Sequence, residues 1–156
     1  MKITPRLLRA AMNLWPPFLF SGIHVTAIAK DWRYARVELR SRPWNRNYVG
    51  VHFGGNLFSM TDPFMMILLK ESLGRDYYVW DRAAEIEYVK PGRGTVAAEF
   101  QITDALLHDI RAAAARGEKY EPWLAVDVVD AKGETVARVR KQLYIRLKPE
   151  KRPEAP

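Results

Sequence analysis

A glycine-rich segment that ends in a lone carboxylate is the part of the sequence best suited to chemistry. Residues 47–62 read Asn-Tyr-Val-Gly-Val-His-Phe-Gly-Gly-Asn-Leu-Phe-Ser-Met-Thr-Asp. Glycines before a helix let a ligand approach the backbone closely, and the first turn of that helix presents free N–H groups. Aimed at a thioester carbonyl, such N–H groups would stabilise the oxyanion of acyl transfer. Asp62 is the only acidic residue between Gly50 and Glu71, and its carboxylate could activate water or attack directly.

The spacing of Gly55 and Asp62 argues for a site shared between subunits. If a helix begins near Gly55, Asp62 lies two turns later, roughly 10 Å along the axis. That is too far for both residues to act on one carbonyl within one chain. Apolar side chains are expected to surround Asp62, and desolvation there would make it a better base.

Asp62 also has a purely structural interpretation. Asp62-Pro63 is a standard helix start, with Asp as the N-cap and Pro at the first position. The helix would then cover residues 63–73, and Asp62 would only cap it. If the helix instead runs through from Asn56, Pro63 predicts a kink.

Two motifs in the sequence resemble those of the hot-dog fold thioesterases, specifically the phenylacetate-pathway-like group. The group has Asn, Gly three residues later, then His-Gly-Gly, then an acidic residue seven positions after the second Gly. The matching residues are Asn47, Gly50, Gly54, Gly55 and Asp62. A second match is residues 84–92, which resemble the group's strand ending in Arg/Lys-Pro. The resemblance covers roughly residues 23–147 and is closest to a little-characterised branch, a domain of unknown function.

The resemblance implies an acyl-CoA thioesterase that builds its site across the interface of a dimer or a dimer of dimers. Asp62 would be the base or nucleophile, the Gly55 N–H the oxyanion donor, and Asn47 a positioner of substrate or water. The substrate would be an acyl-CoA or another acyl thioester. A non-catalytic acyl-thioester-binding protein of the same fold is the alternative.

Three further residues are candidates for substrate binding: His52, Gly54 and Asn56. One of them departs from the family pattern, because Phe53 separates His52 from the glycines. Either the loop bulges by one residue, or His52 points away from the position of the family's histidine.

The surrounding elements predict an α+β domain over residues 1–147. Alternating apolar residues predict strands at 23–29, 34–40, 78–89, 95–102, 121–129 and 135–147, with one solvated face typical of an antiparallel sheet. Helices are predicted at 5–15, capped by Thr4, and at 103–116, between strands. The Pro- and charge-rich tail, residues 148–156, is predicted to be disordered.

The segment Asn56–Leu73 is predicted to be the long central helix that the sheet wraps. Its apolar residues cover every direction of a helical wheel, so it must be buried all round. One sheet covers only one side. A partner subunit is the simplest source of the remaining cover, which predicts a homo-oligomer.

The composition of the chain excludes several classes of functional site. The chain has no cysteine, which excludes thiol catalysis, disulfides and Cys-ligated zinc. The three histidines have no metal-ligand spacing, so neither a metal nor a cofactor is expected. No stretch is long and apolar enough to span a membrane, and a cytoplasmic location is expected. The net charge of +7 favours anionic partners.

Two basic segments have alternative uses. Residues 32–48 interleave basic and aromatic side chains, which on a sheet could bind single-stranded nucleic acid. A solvated strand face explains the pattern better, and we expect no nucleic-acid partner. The helix predicted at 5–15 is expected to pack on the domain, with binding to a membrane surface as the less favoured alternative.

Overall fold

A computed structural model describes residues 3–153, in which a six-stranded antiparallel sheet wraps a pair of central helices. The strands are β1 (Ile23–Ile28), β2 (Tyr34–Arg40), β3 (Tyr77–Tyr88), β4 (Thr95–Gln101), β5 (Trp123–Val129) and β6 (Thr135–Leu147). The helices are α1 (Pro5–Leu14), α2 (Pro16–Ser21), α3 (Gly54–Ser59), α4 (Phe64–Leu73) and α5 (Asp104–Ala114). The spatial order β1-β2-β4-β5-β6-β3 leaves β1 and β3 at the two edges. The predicted α+β class is confirmed.

Local signals determine most element boundaries. The hydroxyl of Thr4 accepts a hydrogen bond from the Leu7 N–H and begins α1, and Thr103 caps α5 in the same way. Short helix α2 is not predicted by the sequence. The same proline pair that ends α1 occupies the first positions of α2, where the missing N–H costs nothing.

The predicted central helix is divided in two. Helix α3 ends at Ser59 and α4 begins at Phe64, with a turn and a cis Asp62-Pro63 peptide between them. The N-cap position of α4 is Pro63 and no side chain caps it, so the interpretation of Asp62 as a helix cap is wrong.

Part of the cover expected from a partner comes from the chain itself. The Phe64 ring of α4 lies 5.3 Å from Phe100 in the sheet and 6.1 Å from Phe18 in α2. Helix α2 therefore supplies a second layer over the start of α4, and all three rings are buried.

The arginines of residues 32–48 are largely paired. Arg33 contacts Asp104, Arg36 contacts Glu99, and Arg40 contacts Glu38. This pairing favours the solvated strand face that the sequence suggests, and the absence of a nucleic-acid partner stays a prediction.

The tail begins as an ordered turn. Residues Pro149–Lys151 form a 3₁₀ helix, and the side chain of Arg152 donates to the Leu147 carbonyl at 3.0 Å. The predicted disorder of the tail stays a prediction, and residues 154–156 lie outside the described part. Among residues 3–153, no helix is both long and apolar enough to cross a membrane.

Candidate functional site

A groove of about 500 Å³ lies between the start of α3 and the end of β3. Its walls come from residues 47–57 on one side and from residues 88–92 on the other. The two walls are joined by a hydrogen bond of 3.0 Å from the His52 N–H to the Gly92 carbonyl. The groove thus brings together the two segments that carry the family resemblance.

Asn47 organises the loop that precedes α3. Its Oδ1 accepts hydrogen bonds from the Val49 and Val51 N–H groups at 3.2 and 3.1 Å, and its Nδ2 donates to the His52 carbonyl. Gly50, with φ +78°, completes the turn in a conformation that favours glycine. These bonds assign Asn47 a role in shaping the loop, and its predicted contact with substrate or water stays a prediction.

His52 is a buried residue in the wall of the groove. Its side chain is buried and its Nε2 lies 2.9 Å from the Gly94 carbonyl, which can only accept, so Nε2 carries the proton. Nδ1 has no hydrogen-bond partner in the described part of the chain. Burial, more than any other cause, holds the His52 pKa below its usual value. Phe53, which is 54% exposed, takes the position beside the glycines instead.

Gly54 and Gly55 form the wall of the groove at the start of α3. A Cβ on Gly54 would lie 2.8 Å from the Tyr88 hydroxyl, so a larger residue there would displace the Tyr88 ring from the start of α3. Neither backbone N–H has an acceptor among residues 3–153, as expected for a first helical turn. These two N–H groups are the donors available to a ligand.

Asn56 lies outside the groove. Its Nδ2 is directed at the Asn45 carbonyl, 3.5 Å away, across the loop that connects β2 to α3. The structure therefore does not bring Asn56 together with Gly54 and Gly55 as a substrate-binding residue.

Asp62 also lies outside the groove, at the opposite end of α3. Its side chain is 58% exposed and accepts a hydrogen bond from the ammonium group of Lys141. The expected apolar surroundings are therefore wrong, because the turn between α3 and α4 carries Asp62 to the surface. The sequence argument that Asp62 and Gly55 do not meet within one chain agrees with this separation.

Two charged residues beside Asp62 were not predicted. Lys141 of β6 has a side chain only 6% exposed, and its Nζ lies 3.6 Å from the Asp81 carboxylate of β3. Burial raises the Asp81 pKa, and the nearby Lys141 opposes that rise. One signal could have revealed Lys141: it occupies the inward register of β6, where Val139, Leu143 and Ile145 are all apolar.

A metal centre is not formed by the described residues. In residues 3–153, no group of three histidine or acidic side chains is arranged to hold a metal ion.

The comparisons identify the family. The profile described as "Domain of unknown function (DUF4442)" matches residues 4–145. The chain belongs to the DUF4442 family. None of the curated proteins compared with the chain is similar to it.

Several solved structures share the fold of this DUF4442 chain. A Pseudomonas aeruginosa protein of unknown function, described as a probable thioesterase, matches with a TM-score of 0.79 at 19% identity, over 95% of this chain and 99% of its own. The Escherichia coli PaaI protein of the phenylacetic acid degradation operon matches with a TM-score of 0.61 at 19% identity, over 90% and 92%. A Haemophilus influenzae thioesterase matches with a TM-score of 0.66 at 12% identity, over 94% of this chain and 93% of its own. The predicted hot-dog fold and the resemblance to thioesterases of the phenylacetate-pathway type are thereby confirmed.

Proposed function

We propose that this DUF4442 protein hydrolyses acyl-CoA or a related acyl thioester at a site shared between two subunits. One observation carries the proposal: the end of β3 forms a wall of the Gly54-Gly55 groove, and Asp62 shares the Lys141 ammonium group with Asp81, lower on the same edge strand. The thioesterase descriptions of the P. aeruginosa and H. influenzae proteins support the same chemistry.

The exposed edge strand β3 supports a dimer. Residues 81–85 of β3 are exposed on both faces, and the strand pairs with β6 on one side only. An edge with free backbone N–H and C=O groups is a template for another strand. Pairing with a second copy would satisfy those groups and continue the sheet across the two subunits.

Strand register supports bringing the two parts of the site together. Lys141, which holds Asp62, lies opposite Ala84, whereas the Tyr88 hydroxyl lies against Gly54. The two levels are four residues, or about 13 Å, apart along β3. An antiparallel pairing centred on Ile86 sets Ala84 opposite Tyr88 of the partner subunit. One subunit's Asp62 then meets the other's groove, on the same face of the continuous sheet.

In this arrangement the carboxylate and the N–H groups have complementary roles. Asp62 accepts a proton from water as the water oxygen bonds to the thioester carbonyl carbon. The Gly55 N–H stabilises the negative charge that develops on the carbonyl oxygen. Collapse of the tetrahedral intermediate breaks the C–S bond and releases the carboxylic acid and the thiol, the proton passing from Asp62 to the thiolate. The ammonium group of Lys141 holds the Asp62 side chain in place between turnovers.

The rim of the groove can receive the phosphates of CoA. Arg46 and Arg93 are exposed, and each is one residue away from a residue that lines the groove. By contrast, Lys90 within the groove is occupied by Asp130 and Glu134. Neither arginine is paired with a carboxylate in residues 3–153, although the Arg46 Nε donates to the Ser41 hydroxyl.

The test is hydrolysis of a panel of acyl-CoA thioesters, with Asp62→Ala as the control variant. The proposal expects release of free thiol by the wild-type protein and loss of that release in the variant. If both proteins bind a thioester and neither hydrolyses it, the chain is an acyl-thioester-binding protein instead. If neither protein binds or hydrolyses any thioester, the proposed function is wrong.

A further inference from the structure

Helix α1 has apolar residues on two opposite sides. Leu8 and Met12 face the core, and the helix packs on β1. On the other side, Leu7 and Leu14 are 46% and 73% exposed, with the exposed Ala11 between them. The spacing of these three residues, i, i+4 and i+7, places them on one solvent-facing stripe. Only the inward side is needed to hold α1 on the domain.

Helix α2 and the loop after β2 extend this exposed apolar surface. Leu19 and Phe20 are 49% and 70% exposed, and Trp15 at the turn between the helices is 48% exposed. The Trp44 indole N–H donates to the Phe20 carbonyl at 3.2 Å while its ring is 70% exposed. We define the hairpin surface as the six residues Leu7, Leu14, Trp15, Leu19, Phe20 and Trp44. Scattered exposed apolar residues are ordinary, but a contiguous group marks an interaction surface.

The two chain segments that form the hairpin surface contain basic residues and no acidic ones. None of the 18 acidic residues precedes Asp31, and none lies between Glu38 and Asp62. Those two segments hold Arg6, Arg9, Arg40, Arg42 and Arg46. Arg9 and Arg40 are engaged with the Thr26 carbonyl and with Glu38, whereas Arg6 and Arg42 are exposed beside the apolar residues.

This charge distribution favours an anionic lipid surface over a second copy of the chain as the partner. A second copy docked through the same surface would bring two positive regions together without a carboxylate to pair them, which costs affinity. An anionic lipid headgroup supplies the missing negative charge, and the acyl layer beneath it receives the apolar side chains. Tryptophan at the rim suits the headgroup level of a bilayer.

We propose that the hairpin surface binds the face of an anionic lipid bilayer. Leu14 and Phe20 insert below the headgroups, Trp15 and Trp44 lie at headgroup level, and Arg6 and Arg42 contact lipid phosphates. The protein lies on the membrane and does not span it, which agrees with the short helices of residues 3–153. This inference is independent of the proposed hydrolysis.

The test is co-sedimentation of the full chain with vesicles of equimolar phosphatidylglycerol and phosphatidylcholine, against vesicles of phosphatidylcholine alone. We expect binding to the anionic vesicles only, weakening as salt is raised. The double variant Leu14→Glu/Phe20→Glu should lower the partition coefficient at least about tenfold, since each change removes a large apolar side chain from the bilayer. Arg6→Gln/Arg42→Gln should weaken the preference for anionic lipid with the apolar residues intact.

The matched control is Trp80→Glu, which alters a side chain 57% exposed on β3, away from the hairpin surface. It should bind vesicles like the wild type, and thermal melting should show that every variant is folded. Failure of the wild type to sediment with anionic vesicles overturns the proposal. So does unchanged binding by Leu14→Glu/Phe20→Glu. If the wild type does not bind lipid and Leu14→Glu/Phe20→Glu forms a smaller assembly than the wild type in light scattering, the surface is a protein interface.

Discussion

The ammonium group of Lys141 reaches from the buried face of β6 to the exposed carboxylate of Asp62, 79 residues earlier in the chain. A second carboxylate, Asp81, lies 3.6 Å from the same ammonium group. A buried lysine is retained at little cost only when carboxylates compensate its charge. The Lys141 contact therefore fixes the turn between α3 and α4 and the direction in which Asp62 points.

Replacing Lys141 with methionine should lower the rate of hydrolysis without lowering the stability of the fold. Methionine fills the inward position with a similar volume and without a charge, so the melting temperature should stay close to that of the wild type. Asp62 would lose its fixed position, and kcat for thioester hydrolysis should fall by up to about 10²-fold. Steady-state kinetics and thermal melting measure the two effects. Equal kcat in the two proteins would show that Lys141 does not position Asp62.

Asp62→Asn should greatly slow thioester hydrolysis and leave thioester binding unchanged. The amide keeps the size of the side chain but accepts no proton at neutral pH, so hydrolysis should fall by about 10²–10⁴-fold. Thioester affinity should survive, because the Gly54-Gly55 groove is unchanged. Calorimetric titration with a non-hydrolysable acyl-CoA analogue measures that affinity. Hydrolysis at the wild-type rate would exclude Asp62 as the base.

Two histidines, the buried His52 and the half-buried His24, should make the fold sensitive to mild acid. Burial lowers the pKa of His52 and, together with Arg40, that of His24 below the usual 6.5. A lowered folded-state pKa gives stability that is present above pH 6.5 and is lost as the pH falls through the folded value. Urea unfolding at a series of pH values around 6.5 should show that loss of stability. His52→Gln keeps the donor to the Gly94 carbonyl and should reduce the slope of the free energy of unfolding against pH. His108→Gln on the exposed side of α5 is the control and should leave the slope unchanged.

Single cysteines on β3 should report the subunit pairing. The chain has no cysteine of its own, so each introduced thiol is unique. In an antiparallel pairing centred on Ile86, the Cβ atoms of the two copies of residue 86 lie about 5 Å apart. Oxidation should therefore give a disulfide-linked dimer that is strongest for Ile86→Cys, much weaker for cysteine at 85 or 87, and weak for Trp80→Cys, as seen on a non-reducing gel. Equal yields at all these positions would argue against this register.

The strands and helix starts could be predicted because their signals are local. Alternation in Tyr34–Arg40 predicts the bounds of β2, and Thr4 and Thr103 begin α1 and α5 as expected. Helix α2 was missed because six residues carry too little periodicity. The central helix is divided rather than merely kinked at Pro63, and the turn between its halves is held in part by the distant Lys141.

The candidate site was predicted only in part for the same reason. Gly54, Gly55 and the end of β3 come together as the motifs indicate. The environment of Asp62, however, depends on Lys141, which lies 79 residues later in the chain. His52 turned inward because Gly94, 42 residues later, supplies a carbonyl there. Contacts of that sequence separation leave no trace in a short motif.

The shared site is tested most directly by mixing two inactive variants. Asp62→Asn removes the base, and Gly55→Val blocks the groove, where even a Cβ would lie 2.4 Å from the Phe53 ring. In a mixed dimer, one site receives the intact Asp62 from one subunit and the intact Gly55 from the other. Co-expression of the two variants should therefore restore about a quarter of wild-type hydrolysis, because half of the dimers are mixed and each has one working site. If activity does not rise above that of either variant alone, Asp62 and Gly55 do not act together across a subunit interface.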